Sequence, residues 1–320
     1  MSTVKKFPKK PLIRKLGTIG CNNMVETTPI VFNGELYRFE VVRRKSFTSE
    51  VAEHIKHWSE IDELPCLRFV HVKTNASTPY FAEGHTFGFP YEVDGTMYVV
   101  TGNKPVWGSD GLVFYKSTDL ENWEKHTEIS LPGWVIYNMN IAKMDDTYVL
   151  LLEICAPVEE AGTKRCTFRF MTSKDMTNWT LTPRECVFNK DEFAGGPGFY
   201  TFEGDPYYYV LYLDEHPNYH FANSVARSKD LINWEYSPVN PVLMYDDAED
   251  KKLAHPFFTP KDRERIENTL NINNSDMECC EYLGRTIIYY SWGDQMGTEF
   301  LAEACYEGPM HEFFKAFFEA

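Results

Sequence analysis

The heptad SKDMTNW, Ser173–Trp179, has two near copies in the same chain: STDLENW at Ser117–Trp123 and SKDLINW at Ser228–Trp234. The copies are separated by 56 and 55 residues. A nucleophile or metal site has no use for three copies of itself, so a constant step of this size points to a structural repeat. Short runs rich in Val, Ile, Tyr and Phe, broken by turn signals, precede each box. Ahead of Ser117 they read FGFPYEV, Asp94-Gly95, TMYVVTG and GLVFYKS. The pattern returns as YNMNIAKM, Asp145-Asp146, TYVLLLEI, CTFRFMTS, and again as GFYTF, Glu203-Gly204-Asp205, YYYVLYL, NSVARS. Strand, tight turn, strand, strand is the order of an antiparallel meander.

Two further units show the paired strands without the box: TPIVF, Asn33-Gly34, ELYRFEVV, and MECCEYL, Gly284-Arg285, TIIYYSW, EFLAEACY. Five units at about this period predict an all-β fold, a five-bladed β-propeller of four-stranded antiparallel blades in one domain. The blades are expected at about residues 22–80, 81–131, 132–190, 191–245 and 270–308. Residues 246–269 break the pattern with helical spacing and a Thr-Pro-Lys-Asp start, and 309–320 read as a short amphipathic C-terminal helix. Residues 1–20 are expected to run along or complete a blade. Within each box, the Asp and Asn suit a tight turn between third and fourth strands, and the Trp suits the gap between neighbouring blades.

The chain has 320 residues, 43% of them apolar and 15% aromatic, and a formal net charge of -15. That charge disfavours nucleic acid and anionic membrane surfaces as partners and leaves a neutral or cationic small molecule as the better fit. The basic N-terminus lacks the apolar run of a secretory signal. The eight cysteines are scattered, mostly within apolar runs, and are read as free thiols in a cytoplasmic protein. Cys279-Cys280 is the one vicinal pair, and no zinc-site spacing accompanies it.

Together with the boxes, phrases such as GGPGFYTFEGDPYYYVLYLD (Gly195–Asp214), SKDLINWEYSPVNPVL and NGELYRFE resemble the five-bladed propeller glycosidases of glycoside hydrolase families 43, 32, 68, 117 and 130. The resemblance spans most of residues 22–308. It implies a carbohydrate substrate at the propeller axis and carboxylates at the starts of innermost strands. Cleavage of a glycosidic bond calls for a carboxylate and a carboxylic acid flanking it. The resemblance places Glu26, at the head of VETTPIVF, near the family's base, and Asp276, in NNSDMECC, at the axis end of the last blade. Glu153, after five apolar residues in TYVLLLEICA, and His85, in EGHTFGF, are expected to assist. This sequence departs from the family at the third blade, where Asn138 and Asn140 stand without an acid, and at the fourth, where glycines follow Asp191 and Glu192.

Substrate contacts are expected from Glu83, Asn138, Asn140, Glu192, Asp294 and Glu299, although Glu299 and Glu303 also alternate like an exposed strand face. Trp107, Trp134 and Trp292, each beside a glycine, are candidate sugar platforms. Arg43, with Arg44 and Lys45, reads either as a solvated strand end or as an anion site. No cofactor is implied, and a Ca²⁺ ion in the central channel is compatible with the resemblance. The leading expectation is hydrolysis of a small oligosaccharide or glycoside with inversion. The alternatives are a phosphorylase of the same fold or a sugar-binding propeller without catalysis. Sugar, linkage and oligomeric state are not legible.

Overall fold

The computed structural model describes residues 8–20, 27–42, 64–105, 108–163, 166–190, 192–295 and 298–319. Its strands run as successive antiparallel meanders. The first sheet holds β2 (Thr27–Phe32), β3 (Glu35–Val42) and β4 (Cys66–His71), with isolated bridges at Ser77 and Phe81 along its outer edge. The second is β5 (Phe89–Val93), β6 (Thr96–Gly102), β7 (Gly111–Ser117) and β8 (Glu124–Ser130). The third contains β9 (Val135–Met144), β10 (Thr147–Ala156), β11 (Thr167–Ser173), and the short β12 (Thr180–Leu181) and β13 (Val187–Phe188).

The remaining strands form an eight-stranded sheet made of two meanders. One is β14 (Gly195–Tyr200), β15 (Tyr208–His216), β16 (His220–Ser228) and β17 (Trp234–Tyr236). The other is β18 (Asn273–Tyr282), β19 (Arg285–Gly293) and β20 (Glu299–Tyr306), completed by the N-terminal strand β1 (Arg14–Gly20), which pairs antiparallel with β20. A single parallel bridge, Phe221 to Asn273, joins them. Closing the last meander with the first strand of the chain removes an open edge.

The first strands of the meanders touch in cyclic order: β2 meets β5, β5 meets β9, β9 meets β14, β14 meets β18, and β18 meets β2. Their neighbouring faces bury Phe, Leu, Ile and Val between sheets. First and second strands are joined by tight turns whose residues take positive φ, Asn33-Gly34, Asp94-Gly95 and Leu283-Gly284. This conformation matches the strand twist and tolerates Asn, Asp and Gly best.

The three boxes fold alike. Asp175 Oδ1 accepts from the backbone N–H groups of Thr177 and Asn178, Asn178 Nδ2 donates to Asp175 Oδ2, and Ser173 Oγ donates to Asp175 Oδ1 at 3.0 Å. Asp119 and Asp230 repeat these contacts. These hydrogen bonds, foremost those from Asn122, Asn178 and Asn233, hold the three carboxylates well below the usual carboxylate range. Each Trp lies on the third strand of the preceding sheet. Trp123 stacks on Phe69, Trp179 on Phe114 and Trp234 on Phe170, with centroids 5.7, 5.5 and 5.9 Å apart. The box is therefore a turn clamp that also fixes the spacing between sheets.

Between Ser237 and Asn273 lie α2 (Asp247–Asp250) and α3 (Pro260–Asn268), after the short α1 (Val158–Ala161) on the third sheet. Thr259 caps α3 in a capping box with Asp262, and Pro260 opens its first turn. The C-terminal helix α4 (Met310–Lys315) buries Phe313 and Phe314. No helix among the described residues is long and apolar enough to cross a membrane.

The cysteines depart from the expected uniform thiols. Cys155, at the end of β10, and Cys166, ahead of β11, are joined as a disulfide with their α-carbons 4.5 Å apart. The pairing follows from register, since Ile154 opposes Thr167. Disulfides persist in oxidising compartments, so the cysteines no longer argue for a reducing one. Cys66, Cys186, Cys279, Cys280 and Cys305 are buried thiols.

Candidate active site around Asp276

Three irregularities fall where the first strands converge. The pairing of β18 with β19 shifts between Ser275 and Glu278, that of β14 with β15 between Gly195 and Gly198, and that of β9 with β10 around Glu153. Bulges re-aim side chains beside functional sites. Here Asp276 takes φ 50° and Gly196 takes φ 50°. Asp is among the few side chains that accept the left-handed region. At Gly196 a side chain would also collide, because a β-carbon would lie 2.7 Å from Asp276 Oδ1.

Glu153 approaches the same glycine pair from β10. Its Oε2 accepts from Gly196 N–H at 3.1 Å and from Asn138 Nδ2 at 2.9 Å, and a β-carbon on Gly195 would lie 3.2 Å from Oε1. With both carboxyls against Gly196, their nearest oxygens are no more than about 8 Å apart. The Asn138 expected at the strand head thus holds the acid. Arg169, on the neighbouring β11, pairs with Glu160 at 2.8 Å and not with Glu153.

Two more glutamates share the charge of Asp276. Glu278, on β18, accepts hydrogen bonds from Thr28 and Asn140, the latter at 3.5 Å. Glu299, on β20, accepts from Gln295 N–H at 2.8 Å and Asn273 Nδ2 at 3.4 Å. Glu153, Glu278 and Glu299 are 6%, 7% and 6% exposed, whereas Asp276 is half-buried. Burial, foremost, and the neighbouring Asp276 carboxylate push the carboxyls up to about 7 for Glu153 and about 8 for Glu278 and Glu299. Near neutral pH Glu278 and Glu299 are therefore mainly protonated and Glu153 about half so, beside the Asp276 carboxyl. Raised carboxyl pKa values gathered at one place mark a candidate acid–base site.

The other expected residues scatter. His85 is half-buried, with Nδ1 2.8 Å from Gly102 O and Nε2 3.2 Å from Tyr115 OH, so both ring nitrogens are engaged within the second sheet. Trp292 is a correction. It is fully buried, donates to Thr18 Oγ1 at 2.9 Å and stacks on Phe300, so no sugar reaches its ring. Glu299 was read in part as an exposed strand face, yet it is buried because the bulged β18 and the turn at Asp294 enclose it. Trp134 is half-buried against the core between second and third sheets. Asn140 is buried against Glu278, and Asp294 accepts from Thr298 N–H at 3.0 Å. Glu83 is exposed on the loop before β5, and Glu192 is exposed close to Asp214 and Tyr212. Glu26, Arg43 and Trp107 lie outside the described residues. Sequence reasoning missed Glu278. Its signal was an acid between Met277 and Cys279, which are themselves buried.

Among the described residues, no three His, Cys, Asp or Glu side chains are grouped as a metal site requires.

No family model and no curated relative matches the sequence. Solved structures do match the fold. The catalytic domain of the Coprinopsis cinerea GH62 α-L-arabinofuranosidase aligns with TM-score 0.60 at 9% identity, over 94% of this chain and 98% of that one. The Podospora anserina α-L-arabinofuranosidase, solved with cellotriose, gives 0.58 at 9%, over 95% and 99%. The Bacteroides ovatus xyloglucan PUL protein GH43B gives 0.53 at 14%, over 93% of this chain and 54% of that one. The chain thus has the fold of the GH62 and GH43 glycoside hydrolases, with these acids at the meeting point of its first strands.

Proposed function

We propose that this protein is a glycoside hydrolase, and that its meanders are the blades of a five-bladed propeller with Asp276 and Glu153 working at the axis. The cyclic contact of the first strands supports the propeller. The observation that carries the function is a half-buried Asp276 facing three buried glutamates with raised pKa, in a fold shared with glycoside hydrolases.

In this reading Glu153 is the proton donor. Its carboxyl is held by Asn138 and Gly196 and is half protonated near neutral pH, which suits donation to a departing glycosidic oxygen. Asp276 is the base, taking a proton from a water that attacks the anomeric carbon from the opposite face. The bound of about 8 Å on their separation is compatible with a water between the two carboxyls, and inversion is the course this reading takes. Glu278 and Glu299 stay protonated and so limit the negative charge around Asp276. Glu26, expected near the base and outside the described residues, is in this reading a further carboxylate of the first blade. The substrate is a small oligosaccharide or glycoside, in keeping with the cellotriose and xylotriose bound by fold neighbours.

The test is hydrolysis of a panel of aryl glycosides and oligosaccharides by wild-type, Glu153→Gln and Asp276→Asn proteins, with the first-formed anomer read by NMR. Turnover abolished in both variants supports the assignment. Binding without cleavage by the wild-type protein would instead indicate a non-catalytic sugar-binding propeller, and turnover only with inorganic phosphate a phosphorylase.

A further inference from the structure

The β15–β16 hairpin rises past the glycine pair and ends in Asn218-Tyr219, both with positive φ, 67° and 59°. Asn accepts this conformation readily, whereas a Tyr pays for it. Tyr219 is 42% exposed, and its ring meets Phe221 edge-on at 4.8 Å. Phe221 meets Phe193 at 6.0 Å, and the Phe193 ring lies 3.2 Å from where a Gly195 β-carbon would sit, the position that is also 3.2 Å from Glu153 Oε1. The backbone of Phe221 is bridged to Asn273, three residues ahead of Asp276. A continuous run of aromatic rings therefore leads from the acid cluster to an exposed tyrosine, anchored to the strand that carries Asp276.

We infer that Tyr219, backed by the half-buried Phe193 and the buried Phe221 in one aromatic wall, is the stacking platform for a ring of the substrate beyond the one being cleaved. The inference rests on the glycosidase reading and adds to it a substrate class: an oligosaccharide that extends out of the axial pocket over the fourth sheet. Aromatic faces suit the apolar C–H face of a pyranose or furanose, and a Tyr adds a hydroxyl for the ring's polar edge. A strained backbone at an exposed aromatic is the kind of cost that functional sites retain. Of the tryptophans expected to stack on sugar, neither Trp134 nor Trp292 is brought to this wall.

The experiment compares wild-type, Tyr219→Ala and Tyr219→Phe proteins by calorimetric titration with xylotriose, arabinotriose and cellotriose, and by hydrolysis of the matching nitrophenyl monoglycosides. The expected result is roughly tenfold weaker trisaccharide binding in Tyr219→Ala, recovered in Tyr219→Phe, with melting temperature unchanged. Equal trisaccharide affinity in all three proteins would overturn the inference, and so would failure of the wild-type protein to bind any of the trisaccharides. Trisaccharide binding that depends on Tyr219, without hydrolysis of any substrate, would sustain the wall and refute only the catalytic reading.

Discussion

Replacing Glu153 with Gln separates the cost of keeping an acid at this position from its use. The carboxyl is 6% exposed and its pKa is raised from the ordinary 4.5 to about 7. Below about pH 4.5 the native and unfolded chains both hold the proton. Between about 4.5 and 7 the native state keeps it while the unfolded chain has lost it, so wild-type stability falls as pH rises through this window and levels off above it. The shift corresponds to about 3 kcal/mol. Gln is neutral at every pH, and its Oε1 can accept from both Asn138 and Gly196. Urea unfolding should therefore give near-equal stabilities at pH 4.5 and a variant more stable by about 3 kcal/mol at pH 8. Turnover should drop by a factor of about 10² to 10⁴, the usual worth of a general acid. A variant both less active and more stable at alkaline pH is the signature of a residue retained for chemistry. Parallel stability curves for the two proteins from pH 4.5 to 8 would refute the argument that Glu153 is a destabilised, protonated acid.

Asp276→Asn keeps a side chain that tolerates φ 50°, so the fold should be retained while turnover falls by roughly 10² to 10⁴. Gly196→Ala should lower turnover without removing any acid, because its β-carbon would meet Asp276 Oδ1 at 2.7 Å; near-normal kinetics would mean that Asp276 has no fixed position. Trp179→Ala should cost about 3 kcal/mol in urea unfolding and leave sugar affinity unchanged, since the ring packs on Phe114. The wild-type kcat/KM should fall as pH rises above about 7, where Glu153 loses its proton; a rate flat to pH 9 would remove Glu153 as donor.

The architecture was legible because it is written in local chemistry. The boxes state a turn that Asp and Asn must hold and a gap that Trp must fill, and Asn33-Gly34 and Asp94-Gly95 state hairpins directly. Asp276 and Glu153 could be singled out as acids near strand ends. What stayed hidden depended on register. The bulge after Ser275 turns Asp276 toward Gly196 and buries Glu278, and no composition rule marks it. Trp292 misled because a glycine neighbour does not reveal whether a ring faces solvent or a partner. Its indole N–H is satisfied by a residue far along the chain, Thr18. The cysteine reading failed for the same reason, since only the β10–β11 register brings Cys155 to Cys166.

The most direct test is a crystal structure of the Glu153→Gln protein with an oligosaccharide that the wild-type enzyme cleaves. The account predicts the scissile glycosidic oxygen within hydrogen-bonding distance of residue 153, and a water held by Asp276 on the far side of the anomeric carbon. A sugar bound away from Gly195-Gly196, with neither residue at the bond to be broken, would contradict it.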